Sequence, residues 1–84
     1  MQYANLGKTG LVVSRLSFGA MTFGQGEMVP GVKSDVDQQH ADRMVGTAID
    51  GGVNLFDTAD LYHRGESESM LGKALRGKRE NVII

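Results

Sequence analysis

Eighty-four residues with no cysteine, nine basic and ten acidic side chains and a net charge of −1 exclude several classes of protein at once. Neither a disulfide framework nor a thiolate metal site can form, no basic field exists to attract nucleic acid, and 40% hydrophobic content argues against disorder. A domain this small buries only roughly 60% of the surface its unfolded chain exposes, and it usually needs a staple that this composition does not offer.

In chain order, Tyr3 to Leu6 and Leu11 to Ser14 read as the arms of a hairpin over residues 3–14, joined by Gly7-Lys8-Thr9-Gly10. Leu16-Ser17-Phe18-Gly19 predicts a brief third strand. From Ala20 to Ser34 the pattern reads as loop, because Gly24, Gly26, Pro30 and Gly31 interrupt any periodicity; a loop of that length is often functional. Asp37 caps a predicted helix whose stripe is Ala41, Met44, Val45, Ala48 and Ile49, with Gly51-Gly52 as its left-handed stop. Val53 to Phe56 predicts a strand. A second helix from about Ser67 carries Met70, Leu71, Ala74 and Leu75 on one face, with Lys73 and Arg76 at its negative pole and Gly77 beyond. Val82-Ile83-Ile84 is all β-branched, as a strand covered on both faces would be.

Strand, helix, strand, helix, strand after the hairpin is the order of βαβ units on a parallel sheet. The last run meets the terminus with no turn or cap, so the expectation is the first part of a larger α/β protein. In such architectures active sites form at the carboxyl ends of strands. On a strand, Val53, Leu55 and Asp57 share one face and Asn54, Phe56 and Thr58 the other. That places Asp57 at a strand's carboxyl end on a face that is apolar before it, where a buried carboxylate needs a partner. Tyr62 follows in the next loop and can turn back toward the same opening. From spacing alone, a capping Asp57 and a loop-filling Tyr62 are the favoured readings, because a single Asp and Tyr pair is a weak signal.

Leu6-Gly7-Lys8-Thr9-Gly10-Leu11-Val12-Val13-Ser14 followed by Phe18-Gly19-Ala20-Met21-Thr22-Phe23-Gly24 resembles the opening of an aldo-keto reductase. The resemblance continues through Ala48-Ile49-Asp50-Gly51-Gly52-Val53-Asn54, Phe56-Asp57-Thr58-Ala59-Asp60-Leu61-Tyr62, Gly65-Glu66-Ser67-Glu68 and Leu71-Gly72-Lys73-Ala74-Leu75. Only Gln25 to Val36 reads as a variable segment. The resemblance implies the N-terminal portion of a (β/α)8 barrel with its hairpin at the barrel bottom, barrel units over residues 16–84, and the rest of the domain outside this sequence. It also implies NADP(H), bound extended across the C-terminal face, and hydride transfer to the carbonyl of a small aldehyde or ketone. Tyr62 maps onto the family's proton-donating tyrosine, and Asp57 onto the aspartate that supports it near the nicotinamide. Gly19, Ala20 and Met21 map onto a cofactor-contacting turn. A free phenol has a pKa of about 10, so its proton transfer needs assistance near neutral pH.

The family's lysine and histidine match nothing in the chain. Lys73 and Lys78 belong to the second helix and its exit, and His40 and His63 are expected at the surface, His63 near the mouth of the site. Gly7-Lys8-Thr9 echoes a phosphate-binding loop, but Gln2 stands where that motif needs glycine. Gly24-Gln25-Gly26 lacks the third glycine of a dinucleotide fingerprint. Asp35, Asp37 and Asp42 do not follow a calcium-loop pattern, Met44 and Met70 read as core, and no metal is expected. The longest apolar runs are three residues, such as Leu11-Val12-Val13, against about 20 for a membrane helix. The first five residues do not resemble a signal peptide, and a cytoplasmic protein without membrane contact is expected. The leading reading is a carbonyl-reducing oxidoreductase. The alternatives are a cofactor-binding regulatory or channel-associated subunit on the same barrel, and a truncated chain inactive by itself.

Overall fold

The hairpin expected at residues 3–14 opens the computed structural model, which describes all residues from Met1 to Ile84. Strand β1 (Tyr3–Asn5) runs antiparallel to β2 (Val12–Ser14), pairing Tyr3 with Ser14 and Asn5 with Val12. Strands β3 (Phe18–Gly19), β4 (Gly24–Val29) and β5 (Val32–Val36), helix α1 (Gln38–Asp50), strand β6 (Phe56–Asp57) and helix α2 (Glu66–Ala74) follow. β3 and β6 are parallel, with Phe18 opposite Phe56 and Gly19 opposite Asp57. The ladder is held by Phe18 N–H to the Leu55 carbonyl and Ala20 N–H to the Asp57 carbonyl, both 2.9 Å. The expected terminal strand is reduced to one parallel bridge, Leu55 to Ile83. Phe56 N–H donates to the Ile83 carbonyl (2.9 Å) and Ile83 N–H to the Asn54 carbonyl (2.7 Å).

The segment read as loop from Ala20 to Ser34 is corrected by the structure, because β4 and β5 form a second antiparallel hairpin within it. Pro30 presets φ at the second turn position, and Gly31, at φ +82°, supplies the left-handed third position of a type II turn. A register irregularity between Glu27 and Val29 breaks the alternation that would have marked the strands.

Asp37 caps α1 as expected, its carboxylate accepting the His40 N–H at 2.8 Å. Gly51 remains right-handed at the end of α1, and Gly52 (φ +95°) takes the left-handed position. The helix stripes meet on one side of the parallel strands. Ala41 and Val45 of α1 and Met70, Leu71 and Ala74 of α2 join Leu75, Phe23, Phe56 and Val82 in one core, with Met44, Ala48 and Ile49 packed at its edge. The Phe18 ring lies 5.6 Å from those of Phe23 and Phe56, tilted against both. Each such apolar side chain, fully buried, contributes about 1.5–3 kcal/mol. Phe56 faces this core, whereas Leu55 is half-buried and Asp57 exposed. The expected face of Val53, Leu55 and Asp57 therefore holds only from Leu55 onward, since Val53 precedes the strand and packs against the helix-side core.

Polar latches tie both ends of the parallel strands. At the amino end, Asn54 Oδ1 accepts from Ser14 N–H (2.7 Å) and its amide nitrogen donates to the Val12 carbonyl (3.0 Å). Asn54 N–H donates in turn to Ser14 Oγ (3.1 Å), and Tyr3 Oη donates to the Gly52 carbonyl (2.7 Å). The first hairpin is thereby docked under the start of β6. At the carboxyl end, fully buried Ser67 donates its hydroxyl to the Ala20 carbonyl at 2.6 Å. A hydroxyl has one proton, so Thr58 Oγ1, 3.0 Å away, is the donor to Ser67 Oγ. Ser67 thus joins the exits of β3 and β6 to the first turn of α2.

Asn54→Ala should lower unfolding stability by about 2 kcal/mol, because the part-buried Ser14 N–H loses its acceptor. Thr9→Ala, whose bonds are exposed, should lose about 0.5 kcal/mol. Equal losses in urea titrations would refute the latch. Ser67→Ala should lose about 1–2 kcal/mol by leaving the Thr58 hydroxyl unpaired and removing one donor from Ala20; a neutral effect in the same titration would contradict that network.

Candidate active site

Three of the expected site residues lie together at the carboxyl rim of the parallel strands. Gly19 stands opposite Asp57 in the ladder, and Ala20 N–H binds the Asp57 carbonyl. Ala20 is fully buried and its carbonyl is held by Ser67, so the turn that carries Met21 outward has a fixed base. Met21 is exposed. Gly19 is exposed as well, with open space where a side chain would begin. The hydrogen bonds of this rim run through the backbone of Asp57 and the hydroxyl of Thr58, leaving the Asp57 carboxylate free. The expected buried carboxylate with a partner is thus an exposed one.

Tyr62 lies in the connection from β6 to α2, where it begins a short 3-10 turn (Tyr62–Gly65), and is half-buried. Its N–H reaches the Ala59 carbonyl at 3.3 Å, and Arg64 N–H reaches the Leu61 carbonyl at 3.3 Å, both long bonds. His63 and Arg64 have left-handed backbones (φ 49° and 58°) and turn the chain sharply into Gly65 and α2. For non-glycine residues this region costs roughly 1–2 kcal/mol each.

His63 is corrected from surface to interior, at 6% exposure. Its Nε2 lies 2.8 Å from Ser34 Oγ on β5, and its ring rests against Gly24 of β4, where a Cβ would come within 2.5 Å of the imidazole. Beside it Gln25, Glu27, Arg64 and Glu66 line a polar cleft of about 320 Å³. His40 is exposed, as expected. It lines the largest cavity, about 540 Å³, together with Phe18, Arg43 and Met44. That cavity lies along α1, and none of the expected site residues lines it. Lys73 is exposed on α2, and Lys78 lines a groove with Tyr3 and Asn81, beside the docked hairpin rather than at the rim. No three His, Asp or Glu side chains are gathered to hold a metal ion.

Sequence reasoning missed Ser34, His63 and Ser67. Ser67 had a visible signal, since it falls at i, i+3, i+4 and i+7 with Met70, Leu71 and Ala74 and so occupies the buried face of its helix. Ser34 and His63 had none, because their meeting depends on the second hairpin.

Gly19 leaves open space at the rim, and the Asp57 charge opposite it in the ladder opposes anions and favours a cation or a neutral hydrogen-bond donor.

Comparison with known proteins bears on the family and the fold. The model of the Aldo/keto reductase family matches residues 15–84. A protein of Arabidopsis thaliana described as a probable voltage-gated potassium channel subunit beta is 41% identical over the whole chain, which covers 24% of that protein. An uncharacterised oxidoreductase of Bacillus subtilis is 39% identical, again over the whole chain and 25% of its own length. The holo form of an aldo-keto reductase from Bacillus halodurans superposes on all of the chain with a TM-score of 0.82 at 37% identity, over 24% of its length. The chain spans about a quarter of the relatives it matches, and its α/β fold is the N-terminal part of their barrel, not closed by these strands. The chain belongs to the aldo-keto reductase family.

Proposed function

We propose that this chain carries the proton-donor side of the active site of an NADP(H)-dependent oxidoreductase that reduces small aldehydes or ketones to alcohols. The observation that carries the reading is the meeting of Gly19, Ala20 and Asp57 at one strand-end rim, with Tyr62 in the connection leaving it. When bound, the reduced cofactor supplies the hydride to the carbonyl carbon. Tyr62 donates its phenolic proton to the carbonyl oxygen as negative charge develops there. Asp57 supports that transfer electrostatically and, with Gly19, Ala20 and Met21, borders the nicotinamide end. Ser67 keeps the Ala20 turn and the start of α2 in register, so that both sides of the rim hold their spacing. A lysine and a histidine completing the family's catalytic set would come from outside these 84 residues. No helix of the chain is long and apolar enough to cross a membrane, and a cytoplasmic location belongs to this proposal.

A second reading is favoured by the Arabidopsis and rice relatives described as probable potassium channel beta subunits, 41% and 39% identical. On that reading the same rim binds cofactor as part of a regulatory subunit. Such a protein would bind NADPH tightly with negligible turnover.

In the gene product that carries this chain, Tyr62→Phe should lower kcat for aldehyde reduction by about 10²–10⁴-fold while leaving NADPH affinity, read by fluorescence, unchanged. Asp57→Asn should lower kcat by about tenfold or more. Full turnover by Tyr62→Phe would remove the proposed proton donor. Parallel assays with NADH test the cofactor preference.

A further inference from the structure

The buried histidine next to Tyr62 is not used by the chemistry just described. Connections normally run over the surface, yet the His63 imidazole is buried against Gly24 of β4 and Ser34 of β5. Two successive non-glycine residues with left-handed backbones persist only where their surroundings impose them, and such strain gathers at functional sites. Two contacts hold His63 there. The absence of a side chain at Gly24 leaves the ring its seat. Ser34 Oγ lies 2.9 Å from the Thr22 carbonyl and 3.3 Å from the Gly24 carbonyl, both of which can only accept, so its one proton is directed to them. Ser34 Oγ is then the acceptor for His63 Nε2–H at 2.8 Å.

We propose that His63 is a positioning residue that fastens the Tyr62 segment to the β4–β5 hairpin and so sets where the Tyr62 phenol lies. The inference rests on the reading of Tyr62 as proton donor. Within the segment the Tyr62 and Arg64 N–H bonds are both 3.3 Å long and Glu66 N–H returns to the His63 carbonyl, so the shorter side-chain bond to Ser34 and the packing on Gly24 are what tie the segment to the rest of the fold. Adjacent Cα atoms are about 3.8 Å apart, and a seat imposed on His63 is passed directly to the backbone of Tyr62. A displacement of about 1 Å at a reacting group is enough to lower a rate by about 10²-fold. The hairpin that the sequence disguises as loop therefore acts as the anchor of the proton donor.

The test uses steady-state kinetics of the gene product with NADPH and an aldehyde, alongside thermal unfolding. His63→Gly removes the ring while relieving the left-handed backbone, and it should lower kcat about tenfold with NADPH affinity unchanged and little loss of Tm. Gly24→Ala, which drives the ring from its seat, should reproduce the fall in kcat. Ser34→Ala should give a smaller fall, about threefold, and serves where either backbone variant does not fold. His63→Gln, whose amide can reach Ser34, should restore most of the rate. Wild-type kcat in His63→Gly and Ser34→Ala, with Tyr62→Phe inactive, would overturn the positioning role alone and leave the histidine as packing. An active Tyr62→Phe would instead remove the proton-donor reading, and this inference with it.

Discussion

Two strands of two residues each cannot keep a parallel register by themselves. The β3–β6 ladder supplies few backbone bonds, each worth about 0.5–1.5 kcal/mol net, against about 1–2 kcal/mol of backbone entropy for every residue it orders. Its register holds because the side chains around it leave no other choice. Asn54 binds Ser14 and Val12 at the amino end, Ser67 binds Ala20 and Thr58 at the carboxyl end, and Phe56 is enclosed by both helices between them. A slip of one residue would turn Phe56 away from the helices and bring Asp57 into the core, where an unpaired carboxylate is costly. The functional rim is therefore a consequence of packing, since the register that buries Phe56 is also the one that brings Asp57 level with Gly19.

The two faces of the parallel strands divide structure from chemistry. One face is filled by α1 and α2, whose stripes were legible as periodic apolar positions and are buried or packed as their spacing requires. The other carries Leu55, half-buried, and Asp57, exposed. The matched relatives are about four times as long as the chain. In the barrel these strands belong to, that second face looks inward, and the proposed catalytic set is divided between segments distant in sequence. Lys73, Lys78 and His40 cannot substitute for the missing members, because two lie on helix surfaces and one beside the docked hairpin.

What the sequence made legible follows from the range of the interactions involved. Asp37 capping α1, the α1 and α2 stripes and the first hairpin depend on neighbours within a few residues, and they stand in the pattern itself. The roles proposed for Asp57 and Tyr62 rest on resemblance, while spacing alone leaves them undecided between capping, filling and chemistry. The β4–β5 hairpin was hidden because glycines at 24, 26 and 31 look like loop when counted, although each takes a positive φ inside or between strands. A glycine required by a neighbour's ring, as Gly24 is by His63, leaves no local trace at all. His63 was misplaced for the same reason, since its partner Ser34 is 29 residues away.

The connection from β6 to α2 shows how these contacts depend on one another. It must carry the chain from Tyr62 to Glu66 while His63 sits against Gly24 and Ser67 sits beneath Ala20. Two left-handed residues accomplish this at a cost of roughly 2–4 kcal/mol. The hydrogen bonds of Ser34 and Ser67 together offset an amount of that order. Both act on one short connection, so loosening one end of the turn weakens the hold on the other. Tyr62 is the last residue of the connection before these two anchors, and both act on its placement. The strain at His63 and Arg64 is then a measure of how strongly the second hairpin and α2 together constrain the proposed proton donor.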